Sequence, residues 1–282
     1  MEQNIFDSGL KKIGLVAING DSGAVIGTDT YSQYIKIVYL PGGYSLTVDF
    51  SSYSTTGPTL FFVSPNQVLN ITGTGSAPGS MIFYNRDFYC IQIHDDEVAC
   101  DGLLFNNIYN MPMTTLTPED GSFIDYLYAQ IGDEFMQRDS SHEEMIRTYL
   151  KQLFIRSVRL WKRQHLEQEA AGQSSDIESF RKFTQLVEAH YKEKHNVADY
   201  AALLSMAPKT ITHRFKRLNL PQPNEVIKNR IVLEAKRLLA HTQMSSKEIA
   251  YELGYEDPAY FSRLFLLKAG ETPSVFRAKF LS

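Results

Sequence analysis

Two stretches in the C-terminal third decide the fold: VADYAALLSMAPKTITHRF at 197–215 and KEIAYELGYEDPAYFSRLF at 247–265. Each begins with a short amphipathic pattern that contains a small residue, Ala201 or Ala250, and a brief turn follows. A proline then suits the first position of a second helix, and a phenylalanine stands seven residues beyond it. The repeat predicts two helix-turn-helix units, the architecture of proteins that read the DNA major groove.

Local signals around the second unit agree with this prediction. Ser245 and Glu248 have the spacing of a capping box at a helix start. Gly254 suits a left-handed residue in a tight turn, and Asp257 can cap the helix that begins at Pro258.

The segment between the two units, Asn224–Leu239, has the pattern of one helix of about 16 residues, or about 24 Å. A rod of this length could hold two recognition helices about 34 Å apart, which is one turn of DNA. The alternative is an ordinary helical bundle in which the repeat arises by chance.

Charge is distributed unevenly along the 282 residues, whose net charge is −4. Residues 1–172 carry 11 Lys and Arg against 20 Asp and Glu, whereas residues 173–282 carry 17 against 12. Because phosphate neutralisation requires cations, only the C-terminal part suits a polyanion such as double-stranded DNA. Variation of a solvated surface would give the same asymmetry, so charge alone does not decide the matter.

The region 30–95 has the pattern of short strands separated by Gly and Pro turns, which is typical of a β-barrel or jelly roll. The predicted strands are Tyr34–Leu40, Tyr44–Phe50, Thr59–Val63, Val68–Ile71, Ser80–Tyr84 and Phe88–Ile93.

Two helices are predicted after the strands, one from Pro118 and one over Glu143–Gln168. The second helix carries an apolar stripe that is long for a small barrel to cover, so we expect a homodimer to form through it. Packing of this stripe within its own domain is the alternative. The residues expected at the dimer interface are Ile146, Leu150, Leu153 and Leu160.

The predicted fold class is α+β, with a β-barrel or jelly-roll domain and its helices first and an all-α domain second. We expect a sensing and dimerising domain over 1–170, a linker over 171–177 and a double helix-turn-helix domain over 178–282. No apolar run is long enough for a membrane span, and the N-terminus lacks signal-peptide features. A cytoplasmic protein is therefore expected.

The C-terminal hundred residues resemble the AraC/XylS family of bacterial transcription regulators, and residues 1–170 resemble its cupin-like sensor domains more loosely, notably at 48–68. The motifs that carry the first resemblance are RIVLEAKRLL at 230–239, EIAYELGY at 248–255, PAYFSRLF at 258–265, and Gly270, Thr272-Pro273 and Phe276-Arg277. The resemblance implies an effector-controlled regulator, often an activator and often dimeric, that works with RNA polymerase.

By the same resemblance, the two recognition helices begin at Pro208 and Pro258. Arg263 is the best candidate for a bidentate guanine contact or a phosphate clamp, with a salt bridge inside the domain as the alternative. His213 and Leu266 stand where the family often has basic residues, which puts two contacts in doubt. The DNA-binding candidates are Lys209, Thr210, Thr212, His213, Arg214, Lys216, Pro258, Ala259, Ser262, Arg263 and Lys268, with Arg217 as a further phosphate ligand.

A barrel enzyme is the rival interpretation of the N-terminal domain. Its metal site would need several histidines, but residues 1–141 contain only His94, which lies in the acidic run HDDEVACDG. Two cysteines, Cys90 and Cys100, are too few for a four-thiolate zinc site. We therefore expect no enzyme activity, no metal and no cofactor.

Control by a small organic effector in the barrel is the preferred interpretation, and control by a partner protein is the alternative. The candidate ligand-binding residues, which are equally plausible as plain core, are Tyr34, Leu46, Phe61 and Phe83.

Overall fold

The computed structural model describes residues 3–19, 29–73, 75, 77–92, 94, 98, 100–105, 113–137, 139–166 and 174–280. The chain divides into two units, Met1–His165 and Leu166–Ser282. In the part of the chain described, no helix is both long and apolar enough to cross a membrane.

The N-terminal unit contains two antiparallel sheets. Six strands lie in the order β1-β2-β8-β3-β6-β9 and three in the order β5-β4-β7. Side chains from both sheets form one apolar cluster between them, so this half of the unit is a sandwich. The strands are β1 (Gln3–Asp7), β2 (Lys12–Ile18), β3 (Ile35–Leu40), β4 (Ser45–Val48), β5 (Ser51–Ser54), β6 (Thr59–Val63), β7 (Leu69–Thr72), β8 (Gly79–Tyr84) and β9 (Met113–Thr115).

The larger sheet is buried on both faces, since every residue of β3 and of β6 is buried. Two helices, α1 (Pro118–Gln137) and α2 (His142–His165), cover the face opposite the sandwich core. Tyr128 of α1 lies 5.8 Å from Tyr39 between ring centroids, and Phe154 of α2 lies 6.4 Å from Tyr84. These contacts explain why the strands are continuous apolar runs instead of alternating ones.

The apolar stripe of α2 is covered by its own domain, which corrects the argument for dimerisation through it. Its residues contact α1 and the second face of the large sheet, a surface that the strand pattern alone did not reveal. The exposed fractions are 0% for Ile146, Leu150 and Leu153, and 2% for Leu160.

One predicted strand is a turn instead. Over the described part of Phe88–Ile93, the N–H groups of Phe88 and Tyr89 donate to the carbonyl of Asn85 at 3.1 and 3.3 Å, which closes helix-like turns. The aromatic residues there are buried because they pack on α2, with Tyr89 5.5 Å from Phe154. Residue 93 itself lies outside the described residues, as do Asp95, Asp96 and Glu97 of the acidic run.

Four strands were not predicted: β1, β2, β5 and β9. Strand β2 has a clear apolar pattern, KIGLVAI, and pairs antiparallel with β8 in the middle of the large sheet. Strands β5 and β9 are short and polar, so their pairing depends on the neighbouring strand more than on their own sequence.

All regular secondary structure in the described part of the C-terminal unit is helical. The long helix α6 (Pro223–His241) packs against helices of both helix-turn-helix units. A single helix between the units was predicted from the pattern of residues 224–239. The helices are α3 (Ser174–His190), α4 (Val197–Leu203), α5 (Pro208–Arg217), α6 (Pro223–His241), α7 (Ser246–Glu252), α8 (Pro258–Ala269) and α9 (Pro273–Ala278).

The predicted linker over 171–177 is only partly tested, because residues 171–173 lie outside the described range. Its last four residues are helical, since α3 begins at Ser174. Asp176 and Ile177 are both buried there, which ties this turn to the C-terminal unit. Small and polar composition suggested a linker, but tertiary contacts make it a helix start.

Candidate nucleic-acid interface

The two helix-turn-helix turns have the same backbone geometry. The N–H of Met206 donates to the carbonyl of Ala201, and the N–H of Tyr255 donates to that of Ala250, each at 2.9 Å. In both turns the residue before the donor has a positive φ: 53° at Ser205 and 77° at Gly254. Ala201 and Ala250 are almost fully buried, as the small residues at these positions predicted.

The predicted caps of the second unit are present. The N–H of Ser245 donates to the Glu248 carboxylate at 2.7 Å, and the N–H of Glu248 donates to the Ser245 hydroxyl at 3.2 Å. The hydrogen bond from Ser245 lowers the pKa of the Glu248 carboxyl. Asp257 accepts from the N–H of Ala259 at 2.8 Å and so starts α8.

Helix α5, in the first unit, buries Ile211 and Phe215 and directs the other side of the helix to solvent. Its Thr212 hydroxyl donates to the carbonyl of Pro208 at 3.1 Å, so its oxygen is left to accept a further bond. The exposed candidates on this helix are Lys209, Thr210, Thr212, His213 and Lys216. Two cations and three polar side chains on one face can contact both phosphates and base edges.

Arg214 is a correction, because it does not lie on this exposed face. Its guanidinium donates to the carbonyl of Ser175 at 3.0 Å and to the hydroxyl of Ser179. It also lies 3.6 Å from the carboxylate of Asp176. The Arg217 guanidinium donates two hydrogen bonds of 2.7 Å to the same carboxylate. Both arginines therefore hold the start of α3 against α5, and Arg214 is committed to that packing.

In the second unit, α8 buries Phe261, Leu264 and Phe265 and exposes Ala259 and Arg263. Pro258 and Ser262 are half-buried, and the Ser262 hydroxyl donates to the Pro258 carbonyl at 2.9 Å. This repeats the bond between Thr212 and Pro208 in the first unit.

Arg263 is the most accessible cation on α8, with 69% of its side chain exposed. Its guanidinium lies 3.7 Å from the Asp257 carboxylate, which is 61% exposed. An ion pair this long and exposed contributes little stability, so the guanidinium can exchange it for a base or a phosphate.

Lys268 is a second correction to the phosphate-binding candidates. Its ammonium is paired with the Glu225 carboxylate, and only 16% of its side chain is exposed. The pair joins α8 to the first turn of α6. This residue serves the packing of the unit, which the sequence pattern of α8 alone did not indicate.

A buried ionic network joins α6 to α3. The Arg230 guanidinium donates to Glu188 at 2.6 and 3.0 Å and to Glu234 at 2.9 Å, and it stacks on the Tyr191 ring at 3.8 Å. Burial disfavours the charge, but the hydrogen bonds and charge of Glu188 outweigh it, so the pKa of Arg230 is raised. Charge pairing of this kind fixes α3 against α6.

Comparisons with known proteins agree with this geometry. A helix-turn-helix domain model matches residues 200–279. The arabinose operon regulatory protein of Salmonella typhimurium is 28% identical over 95 residues, which are 33% of this chain and 34% of that protein. The C-terminal unit of this chain is therefore similar to the helix-turn-helix domains of AraC-type regulators. Several of the relatives that share this unit are named as transcription regulators.

Two solved structures are also similar to this chain. The DNA-binding domain of AdpA in complex with a target DNA is 28% identical, covers 35% of this chain and 88% of its own, and has a TM-score of 0.33. ToxT of Vibrio cholerae bound to an unsaturated fatty acid is 14% identical, covers 95% of each chain and has a TM-score of 0.40. Four curated relatives align over 8% to 40% of their own lengths, so the chain spans less than half of each.

Helix α8 exposes one aromatic residue that the sequence analysis missed. Tyr260, beside Arg263 on α8, is 49% exposed and lies 5.8 Å from Tyr255 between ring centroids. The sequence does contain a signal for it: Tyr260 is the third residue of a helix that begins with Pro258. The first turn of a recognition helix contacts base edges, so a residue there is a candidate for DNA contact.

In the N-terminal unit, the four candidate ligand residues lie in the core cluster of the sandwich. Leu46, Phe61 and Phe83 are at most 1% exposed, and Tyr34 packs against the cluster with its ring 5.2 Å from Phe83. The structure therefore brings these side chains together. All four serve as core packing, whatever else they bind.

Lys36 is a buried cation beside this cluster that sequence reasoning did not single out. Its side chain lies in the all-buried strand β3 and its ammonium donates to the carbonyls of Tyr31 and Tyr34, each at 3.0 Å. Burial lowers its pKa from 10.5 to about 8, against a smaller opposing effect from the charge of Asp49. One lysine inside the apolar run IKIVYL was the signal.

The candidate metal and thiol residues take ordinary packing positions. His94 stacks on Tyr89 with 4.7 Å between ring centroids, and Cys90 and Cys100 are both buried and form no disulfide with each other. Within the residues that the structure describes, no group of three or more His, Cys, Asp or Glu could hold a metal ion.

Proposed function

We propose that this protein is a sequence-specific transcription regulator, acting as an activator, whose AraC-type unit binds double-stranded DNA through α5 and α8. The observation that carries the proposal is the equivalence of the two units. Both have the same turn hydrogen bond, an N-terminal proline and a buried phenylalanine seven residues later. Both expose cations on the second helix, Lys209 and Lys216 in one and Arg263 in the other.

Footprinting of the full chain on its operator tests this proposal. We expect protection on one face of the duplex over about two helical turns, because each unit reads its own major groove. Affinity should fall steeply with salt, since phosphate neutralisation releases counterions. Protection limited to one turn would mean that only one unit reads DNA, and binding without any sequence preference would reject the proposal.

We further propose that a small organic effector controls the regulator from the sandwich core of the N-terminal unit. The cluster that contains Tyr34, Leu46, Phe61 and Phe83 joins both sheets, so a ligand among these side chains would change how the sheets pack. Native mass spectrometry of the purified protein tests this proposal. A retained small molecule supports it. Protein without retained ligand, together with DNA binding that responds to an added partner protein, favours control by that partner.

A homodimer working with RNA polymerase is part of the proposal. Because the α2 stripe is buried within one chain, the dimer surface must lie elsewhere on the molecule. Sedimentation of the full chain at micromolar concentration measures the assembly directly. A strictly monomeric protein, with and without operator DNA, would rule the dimer out.

A further inference from the structure

A cationic groove lies in the N-terminal unit, away from the sandwich core. It is formed by the first turn of α1 and the C-terminal half of α2, and its volume is about 700 Å³. This volume is in the range of small-molecule sites. Four cations line it against two carboxylates: Arg156, Arg159, Lys162 and Arg163 against Glu119 and Asp120.

Two of the arginines share one carboxylate inside the groove. The Asp120 carboxylate, 10% exposed, lies 3.7 Å from the Arg156 guanidinium and 3.6 Å from that of Arg163. These distances exceed those of hydrogen bonds, so both guanidinium groups keep donors for another acceptor. Asp120 already accepts from the Thr117 hydroxyl at 2.9 Å, which holds it at the start of α1.

One of these cations, Arg156, is also positioned in advance. The Arg156 guanidinium stacks on the Phe123 ring at 4.1 Å, which fixes its plane. Arg159 is exposed and forms no ion pair with any residue in the described part of the chain. Because Arg159 and Arg163 are four residues apart on one helix, their side chains lie on the same face.

We propose that this groove binds a small organic dianion, either a phosphate ester or a dicarboxylate. Arg156, Arg159 and Arg163 all line the groove, and arginine forks bind both oxyanion types with paired hydrogen bonds. A small molecule suits the concave shape. Duplex DNA suits it less, because Glu119 and Asp120 at the start of α1 would repel a continuous run of phosphates.

Titration calorimetry of the full chain tests the proposal, with inorganic phosphate, glycerol 3-phosphate and succinate as probes. The wild type should bind at least one organic probe at millimolar concentration or below. Arg159→Gln should weaken that binding about tenfold or more, because a hydrogen bond to a charged group is lost. Arg159→Lys should retain part of it.

Lys151→Gln is the matched control, since it removes the same charge from α2 outside the groove. It should leave the affinity unchanged. Fluorescence of Trp161, the single tryptophan, reports whether each variant is folded. Preference for glycerol 3-phosphate or for succinate identifies which dianion the groove takes.

Three outcomes overturn the proposal: no probe binds, phosphate binds equally well to the wild type and Arg159→Gln, or Lys151→Gln loses as much affinity as Arg159→Gln. Loss of DNA affinity in Arg159→Gln without any probe binding would assign the groove to DNA phosphates, which also rejects it. The effector proposed for the sandwich core is independent of these results, because none of its residues lines the groove.

Discussion

At the scale of single residues, two cations that are both exposed should have different effects on DNA binding. Arg263→Ala should cost about 1–3 kcal/mol and relax preference at one or two base pairs, because a bidentate contact to guanine is lost. Lys216→Ala should weaken binding to all sequences alike and reduce the salt slope by about one unit. Binding assays with specific and scrambled duplexes over a range of salt measure both effects.

Lys268→Ala is the control for this comparison. It removes a cation from the same helix as Arg263, but that cation is paired with Glu225 and turned from solvent. Its base preference and salt slope should match the wild type. Equal loss of sequence preference in Arg263→Ala and Lys268→Ala would contradict the assignment of Arg263.

Lys36 gives the N-terminal unit a stability that depends on pH. Its pKa is about 8 in the folded state and 10.5 when exposed, so the unfolded chain binds more protons between these values. The wild type should therefore gain stability as pH rises from 8 to 10.5, relative to Lys36→Met. Below pH 8 the wild type bears the full cost of burying this charge, about 3 kcal/mol. Lys36→Met avoids that cost but also loses the two hydrogen bonds to the carbonyls of Tyr31 and Tyr34.

Thermal unfolding followed by Trp161 fluorescence measures this difference, because Trp161 lies buried in the same unit. The advantage of Lys36→Met should be largest near neutral pH and shrink by pH 10. Lys11→Met, at a partly exposed site, is the control for loss of a lysine that is not buried in the sheet. A difference between Lys36→Met and the wild type that stays constant with pH would contradict the buried-charge explanation.

At the scale of elements, the turn between α7 and α8 depends on Gly254. Its φ is +77°, and an added Cβ would lie 2.0 Å from the carbonyl oxygen of Lys192. Gly254→Ala should therefore cost more than about 2 kcal/mol, since a rare backbone conformation and a backbone clash add together. Gly270 has a nearly equal φ of +78°, but no atom lies within 4 Å of the point that an added Cβ would occupy.

Gly270→Ala is therefore a control that isolates the backbone term, and it should cost about 1 kcal/mol. Helix content followed by circular dichroism during urea unfolding measures both variants. Equal destabilisation by the two substitutions would show that the Lys192 contact relaxes at no cost and that conformation alone requires the glycine.

At the scale of the whole molecule, the buried stripe of α2 changes what a charge substitution should do. Leu150 and Leu153 are fully buried, so Leu150→Glu with Leu153→Glu would bury two charges without partners. We expect loss of the folded N-terminal unit and not a folded monomer. Trp161 fluorescence and size-exclusion chromatography distinguish these results, and a well-folded double variant would contradict the packing described.

Much of the C-terminal unit was predictable from sequence because its signals are local. The prolines at 208 and 258, the Ser245–Glu248 cap and Gly254 each act within one or two turns of chain. Their chemistry is therefore the same whatever the rest of the molecule does. The resemblance to the AraC/XylS family implied the recognition helices, and Arg263 and most of the candidates on α5 are exposed there.

Tertiary structure alone decided which candidate side chains are occupied elsewhere and which apolar faces are covered. Arg214 bonds to Ser179, 35 positions away, and Lys268 pairs with Glu225, 43 positions away. The α2 stripe is covered by the large sheet, which is apolar on both faces. Spacing along a helix shows on which face a side chain lies, but the residue that it contacts depends on how distant segments pack. The sequence by itself therefore determined the two helix-turn-helix units, because their signals are local, and the tertiary structure determined which of their side chains remain exposed.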